Sequence, residues 1–150
     1  MATIAAFVTA CGGGETKTEG TSEQPAYNPN ATEETKTDDG KGVGPITNVE
    51  LGADIDKALA EKGKEIFESK CTACHNTDET RKVGPGLAGV TERRKPEWVM
   101  NMVLNPEKMV QEDPTAKELL AEYLAPMANQ NLTEEEARAV LEYFRQNDKK

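Results

Sequence analysis

Lys70-Cys71-Thr72-Ala73-Cys74-His75-Asn76, KCTACHN, holds two of the three cysteines and the only histidine of the 150-residue chain. Two thiols and an imidazole this close together form a binding element, and what they bind decides what folds around them. A structural zinc site needs four ligands, usually completed by a second Cys or His pair. No such pair lies downstream, and Cys11 is separated from the motif by a long polar stretch. A redox dithiol of the thioredoxin type places Cys-x-x-Cys at a helix N-terminus in an α/β fold. Here the pair follows a helical pattern, and no stretch alternates with period two.

Covalent attachment of haem c uses all three residues. The thiols of Cys71 and Cys74 add to the two vinyl groups of one porphyrin edge, and the imidazole of His75 reaches the iron. The expected cofactor is therefore one covalent haem c. With a single histidine in the chain, a second imidazole ligand is excluded. The sixth ligand must be sought among Met, Lys and Asn, or the position is open.

Working outward, the pattern is helical on both sides. Asp54 or Asp56 can cap a helix through DKALAEKGKEIFESK, with Leu59, Lys62, Ile66 and Ser69 at helical spacing and Ala58, Gly63 and Phe67 beside them. KPEWVMNMVLN opens with Pro96 in a first turn. EDPTAKELLAEYLA has Asp113 as N-cap and Pro114 at the first helical position. LTEEEARAVLEYFRQN begins with a capping box, Thr133 to Glu136, and turns Ala137, Val140, Leu141 and Phe144 inward. The class is all-α, with long loops between Cys71 and Pro96.

These residues together resemble a class I cytochrome c over Leu51–Lys150. The resemblance rests on GKEIFESKC (Gly63 to Cys71), CTACH, VGPGL (Val83 to Leu87) and VLEYF (Val140 to Phe144). It implies a fold of several helices wrapped around one covalently bound haem. It implies that Gly63 lets the last helix cross closely, with Phe67 at the crossing against Val140 and Tyr143. The Pro85 carbonyl should accept a hydrogen bond from Nδ1–H of His75, and Leu87 should pack on the proximal haem face. Trp98 should lie beside the haem, its indole N–H on a propionate, with Arg93, Arg94 or Lys95 as further propionate partners.

Among the methionines, Met100 and Met102 fall inside a helix and read as core filler. Met109 falls in an expected turn after NPEK. Met127 sits in the loop APMANQNLT, where class I cytochromes carry the distal methionine, and is the expected sixth ligand, with Met109 and Met100 as alternatives. A helix before this loop, over EDPTAKELLAEYLA, is an addition to the smaller bacterial members of the family. The run from GPGLAG to LEYF is similar to lipoprotein-type cytochromes c of Bacteroidetes-like bacteria.

The N-terminal part differs in kind. MATIAAFVTACGGG is a short apolar run ending in Cys11, and VTAC resembles a lipobox, so residues 1–11 read as a signal remnant with Cys11 as the lipidation site. No Lys or Arg precedes the run, a departure that an upstream start would explain. Residues 12–50 are rich in Thr, Glu, Gly, Pro and Asn, and their acids outnumber Lys17, Lys36 and Lys41. They read as a disordered acidic tether with a root-mean-square span of about 35 Å. Residues 51–150 are the expected cytochrome domain.

The net charge of −9 argues against nucleic acid as a partner. No acid–base pair or activated nucleophile of an enzyme is visible. The expected role is a one-electron carrier between membrane-bound respiratory complexes, from a quinol-oxidising complex to a terminal oxidase or reductase. The expected place is the periplasmic side of a bacterial membrane, lipid-anchored or soluble after signal removal. Arg81, Lys82, Arg93, Arg94 and Lys95 cluster around the expected haem edge and would steer docking to an acidic partner. The alternative is a ligand-binding or sensing haem protein with a labile distal ligand.

Overall fold

The computed structural model describes residues 38–150. Cys11, the lipobox and most of the expected tether lie outside the described residues. Among the described residues six helices follow in order: α1 (Lys57–Lys70), α2 (Val90–Arg93), α3 (Pro96–Leu104), α4 (Pro106–Glu112), α5 (Pro114–Tyr123) and α6 (Glu134–Asp148). Among the described residues there is no strand, and the fold is all-α.

Helix starts follow the local chemistry. Asp56 caps α1 by accepting from the Leu59 N–H at 3.0 Å. Prolines occupy the first turn of α3, α4 and α5, where no backbone donor is needed. Thr133 and Glu136 form a reciprocal capping box at α6. The Leu124 backbone ends α5 in the left-handed region, φ 54°.

The first and last helices cross, and their contact organises the core. A Cβ on Gly63 would overlap the Ala139 carbonyl, so only glycine permits this approach. Beside the crossing, Phe67 is buried with its ring centroid 5.5 Å from Tyr143 and 5.7 Å from Phe144. Each such aromatic contributes roughly 1.5–3 kcal/mol by burial. Burial pushes the Tyr143 phenol up, and Glu68 and Glu61 add to the shift, so it stays neutral.

Two regions differ from the sequence reading. Met109 is not in a turn: NPEKM continues into α4, where Met109 is fully buried. The domain boundary at Leu51 is also too late, because residues 38–50 are not free tether. Ile46 is buried, its N–H donates to Asn101 Oδ1 at 3.0 Å, and its carbonyl accepts from Asn101 Nδ2 at 2.9 Å. Val43 N–H meets the Met109 sulfur at 3.0 Å, and Val49 N–H donates to Glu97. Burial pushes the Glu97 carboxyl up, but the hydrogen bonds from its own N–H and that of Val49, with the Lys41 charge, hold it below the usual range. A short segment with two or three apolar residues thus docks because α3 and α4 present buried polar partners for its backbone. Composition alone carries no sign of those partners.

Candidate cofactor site

Cys71 follows the last turn of α1, with its N–H bonded to the Phe67 carbonyl at 2.9 Å. The chain then coils tightly. Cys74 and His75 both donate to the Cys71 carbonyl, at 3.0 and 2.9 Å. This turn brings Cys71, Cys74 and His75 to the edge of one cavity of about 250 Å³. Cys71 is half-buried, and Cys74 is exposed. Burial pushes the Cys71 thiol up, opposed by the Lys70 charge and reinforced by Cys74, so the free thiol is protonated at neutral pH.

The imidazole is held from behind. His75 Nδ1 lies 2.9 Å from the Pro85 carbonyl. A carbonyl can only accept, so Nδ1 carries the proton and Nε2 keeps its lone pair for a metal. The loop that presents Pro85 is itself pinned, through Gly84 N–H to the Cys74 carbonyl at 2.9 Å and Leu87 N–H to the Asn76 carbonyl at 3.0 Å. Gly84 lies so close that an added Cβ would sit 2.6 Å from His75 Cε1.

The rest of the cavity is largely apolar. Its walls include Leu87 from the near loop, Val90 of α2, and Trp98, Val99, Met102 and Val103 from α3. Ala116, Leu119, Leu120 and Tyr123 of α5 add to them, followed by Ala125, Pro126 and Met127. Helix α5, the addition expected before the distal loop, thus forms one wall. Lys70, Arg93 and Arg94 also line the cavity.

Of the expected site residues, the structure brings Cys71, Cys74, His75, Pro85, Leu87, Trp98 and Met127 to this one cavity. Met100 and Met109 are buried and do not line this cavity. Met102, read from sequence as core filler, reaches the cavity as well. Its spacing from Val99 and Val103 on α3 was the available signal.

The indole role is corrected. Trp98 lines the cavity, but its N–H is donated to Asp113 Oδ1 at 3.0 Å rather than left for a cofactor carboxylate. Asp113 was legible as a helix cap, but its second bond joins residues 15 positions apart and has no local pattern. Of the expected basic cluster, Arg94 stacks over the Trp98 ring at 5.2 Å and Arg81 over the Tyr123 ring at 4.4 Å. Lys95 binds the Asp39 carbonyl, and Arg93 that of Ala88.

The donor set fits a haem attached through thioethers. One imidazole nitrogen is free, two thiols flank it, and a thioether lies in the same apolar cavity. Gly84 leaves the space in which the imidazole ring stands. The set does not suit a tetrahedral ion: among the described residues no group of three or more His, Cys, Asp or Glu could hold one.

Comparison with known proteins points the same way. The family model described as cytochrome c matches residues 60–148. The chain is 32% identical over 65 residues to a cytochrome c-553-like protein of Synechocystis sp., an alignment covering 42% of this chain and 62% of that protein. The chain thus spans less than two thirds of that relative. Its structure is similar to that of cytochrome c from Rhodothermus marinus, with TM-score 0.70 and 47% identity over 73% of this chain and 94% of the other. An engineered Rhodothermus marinus cytochrome c, determined bound to a carbene intermediate, matches with TM-score 0.68 and 46% identity over 74% of this chain and 96% of that one. The chain belongs to the cytochrome c family, with the all-α fold of its class I members and haem c bound covalently.

Proposed function

We propose that the protein is a one-electron carrier in which His75 and Met127 fill the two axial positions of the haem iron. We place it between a quinol-oxidising complex and a terminal oxidase or reductase, on the periplasmic side of a bacterial membrane, anchored through Cys11. The observation that carries this reading is the convergence of His75 and Met127 on one apolar cavity beside both cysteines. When bound, haem c supplies a reversible one-electron change at its iron.

The residues of the chain supply the rest. Pro85 fixes the proton on His75 Nδ1, which leaves the Nε2 lone pair for the iron. Met127 offers a soft, neutral thioether that favours the reduced state. The walls from α3 and α5 surround both with apolar side chains. With His75 and Met127 both holding the group, no open position for a substrate would remain. The basic residues Lys70, Arg93 and Arg94 at the cavity would steer the protein to an acidic docking site.

A second reading is a ligand-binding or sensing haem protein. Two observations favour it. Met127 is only half-buried in a loop, and an engineered relative holds a carbene. One experiment separates the two. The protein is matured in a cytochrome c-competent host, and its spectrum recorded oxidised, reduced, and reduced with CO. The carrier reading predicts sharp ferrous bands, a weak sulfur-to-iron band at the red end when oxidised, and no CO shift. A rapid, complete CO shift would overturn it in favour of the sensor. Release of the native protein from membranes by high salt without detergent would remove the lipid anchor.

A further inference from the structure

We propose that Asp113 is a buried fixed charge that lowers the reduction potential of the haem, acting through the cavity wall that it positions. The inference rests on the electron-carrier reading above.

Asp113 is 2% exposed. Its Oδ1 accepts from the Trp98 indole N–H at 3.0 Å and from the Ala116 N–H at 2.8 Å. Both donors line the cavity, so the carboxylate sits directly behind that wall. The same oxygen therefore orients the Trp98 ring and caps α5.

Its electrostatic situation differs from that of the other buried carboxylates. Glu142 is paired with Arg138 at 2.6 Å and Arg145 at 2.7 Å. Glu97 has Lys41 at 3.5 Å. Among the described residues no lysine or arginine pairs with Asp113. A helix cap does not require a charge, since Ser or Asn serves about as well. Burying a charge with no ionic partner is costly, and here only two hydrogen bonds and the positive end of α5 offset that cost. The charge has a use if an electron arrives nearby. A carboxylate behind the wall opposes the arriving negative charge and favours the oxidised state. Burial also shields that interaction from salt.

The test uses the haem-loaded protein and two neutral caps, Asp113→Asn and Asp113→Ser. Midpoint potentials are measured by optical redox titration, at low salt and at about 1 M salt, where surface charges are screened within about 3 Å. Both substitutions should raise the potential by similar amounts, and the rise should persist at high salt. The red-end band and the resistance to CO should be unchanged. An unchanged potential in both variants would overturn the proposal, as would a rise that salt abolishes. Failure of both variants to load haem would also count against it, because a structural cap would then explain the residue. Failure of the carrier reading looks different: the unsubstituted protein itself would lack the red-end band and take up CO.

Discussion

The two sides of the cavity are built in different ways. The near side, Cys71–Leu87, is a short stretch folded on itself by its own backbone. Cys74, His75, Gly84 and Leu87 each donate a main-chain N–H to a carbonyl within the same stretch. The far side carries Met127 in residues 125–132, which, among the described residues, make no main-chain to main-chain hydrogen bond. It is held by side chains instead. Lys70 Nζ reaches the Gln130 carbonyl at 3.4 Å, Asn129 Nδ2 reaches that of Leu104 at 3.3 Å, and Asn129 Oδ1 accepts from the Asn131 N–H at 2.8 Å. One side is rigid by local bonding, and the other is placed by what packs around it. A fixed imidazole and a less constrained thioether are the expected result.

The largest test of this contrast removes the covalent bond on the near side. Replacing Cys71 and Cys74 together with Ala should abolish haem that survives denaturation, read by haem staining on a denaturing gel. Covalent haem remaining in that variant would mean that attachment does not run through this motif.

Next comes the far side. Met127→Ala should eliminate the red-end band, admit CO and lower the potential, because a soft ligand of ferrous iron is lost. Met102→Leu should leave all three unchanged, since Met102 is a wall residue. The reverse pattern would move the axial ligand to α3.

The rigidity of the near side can be probed without touching a ligand. Gly84→Ala places a methyl 2.6 Å from His75 Cε1, and the pinned loop cannot withdraw easily. We expect a loss of about 1–3 kcal/mol, the usual cost of overpacking, measured by denaturant unfolding of the haem-loaded protein. A neutral result would show that the loop is softer than its bonds indicate.

Smaller effects should mark the ends of the far side. Thr133→Ala removes the cap of α6 just after the Met127 loop and should cost about 1 kcal/mol in the same assay. Leu124→Gly should have the opposite sign. Leu124 is 84% exposed with φ 54°, a conformation that favours glycine. Relief of that strain should raise stability by up to about 1 kcal/mol. Destabilisation on this substitution would mean that Leu124 covers apolar surface that its exposure conceals.

The same contrast explains what could be read in advance. The near side was legible residue by residue, because its chemistry is contiguous: CTACH and VGPGL carry the thiols, the imidazole and the loop behind it. The helix boundaries at Asp56, Asp113 and Thr133 were legible for the same reason, as each cap bonds to an N–H three residues on. Residues 38–50 were not. Their composition is that of a tether, and they dock only because Asn101, Met109 and Glu97 present partners more than 45 positions away. Nor was the partner of the Trp98 indole, since Asp113 shows in sequence only its capping role.

The sequence by itself determined the all-α class and the covalent haem c, and it picked out the one imidazole beside the two thiols, because these depend on residue type and local spacing. It also excluded a second imidazole. Tertiary structure decided which methionines reach the cavity, where the packed domain begins, and that a buried carboxylate stands behind its wall. Those outcomes depend on which side chains meet across distant segments, and burial of polar partners by packing is not encoded in any local pattern.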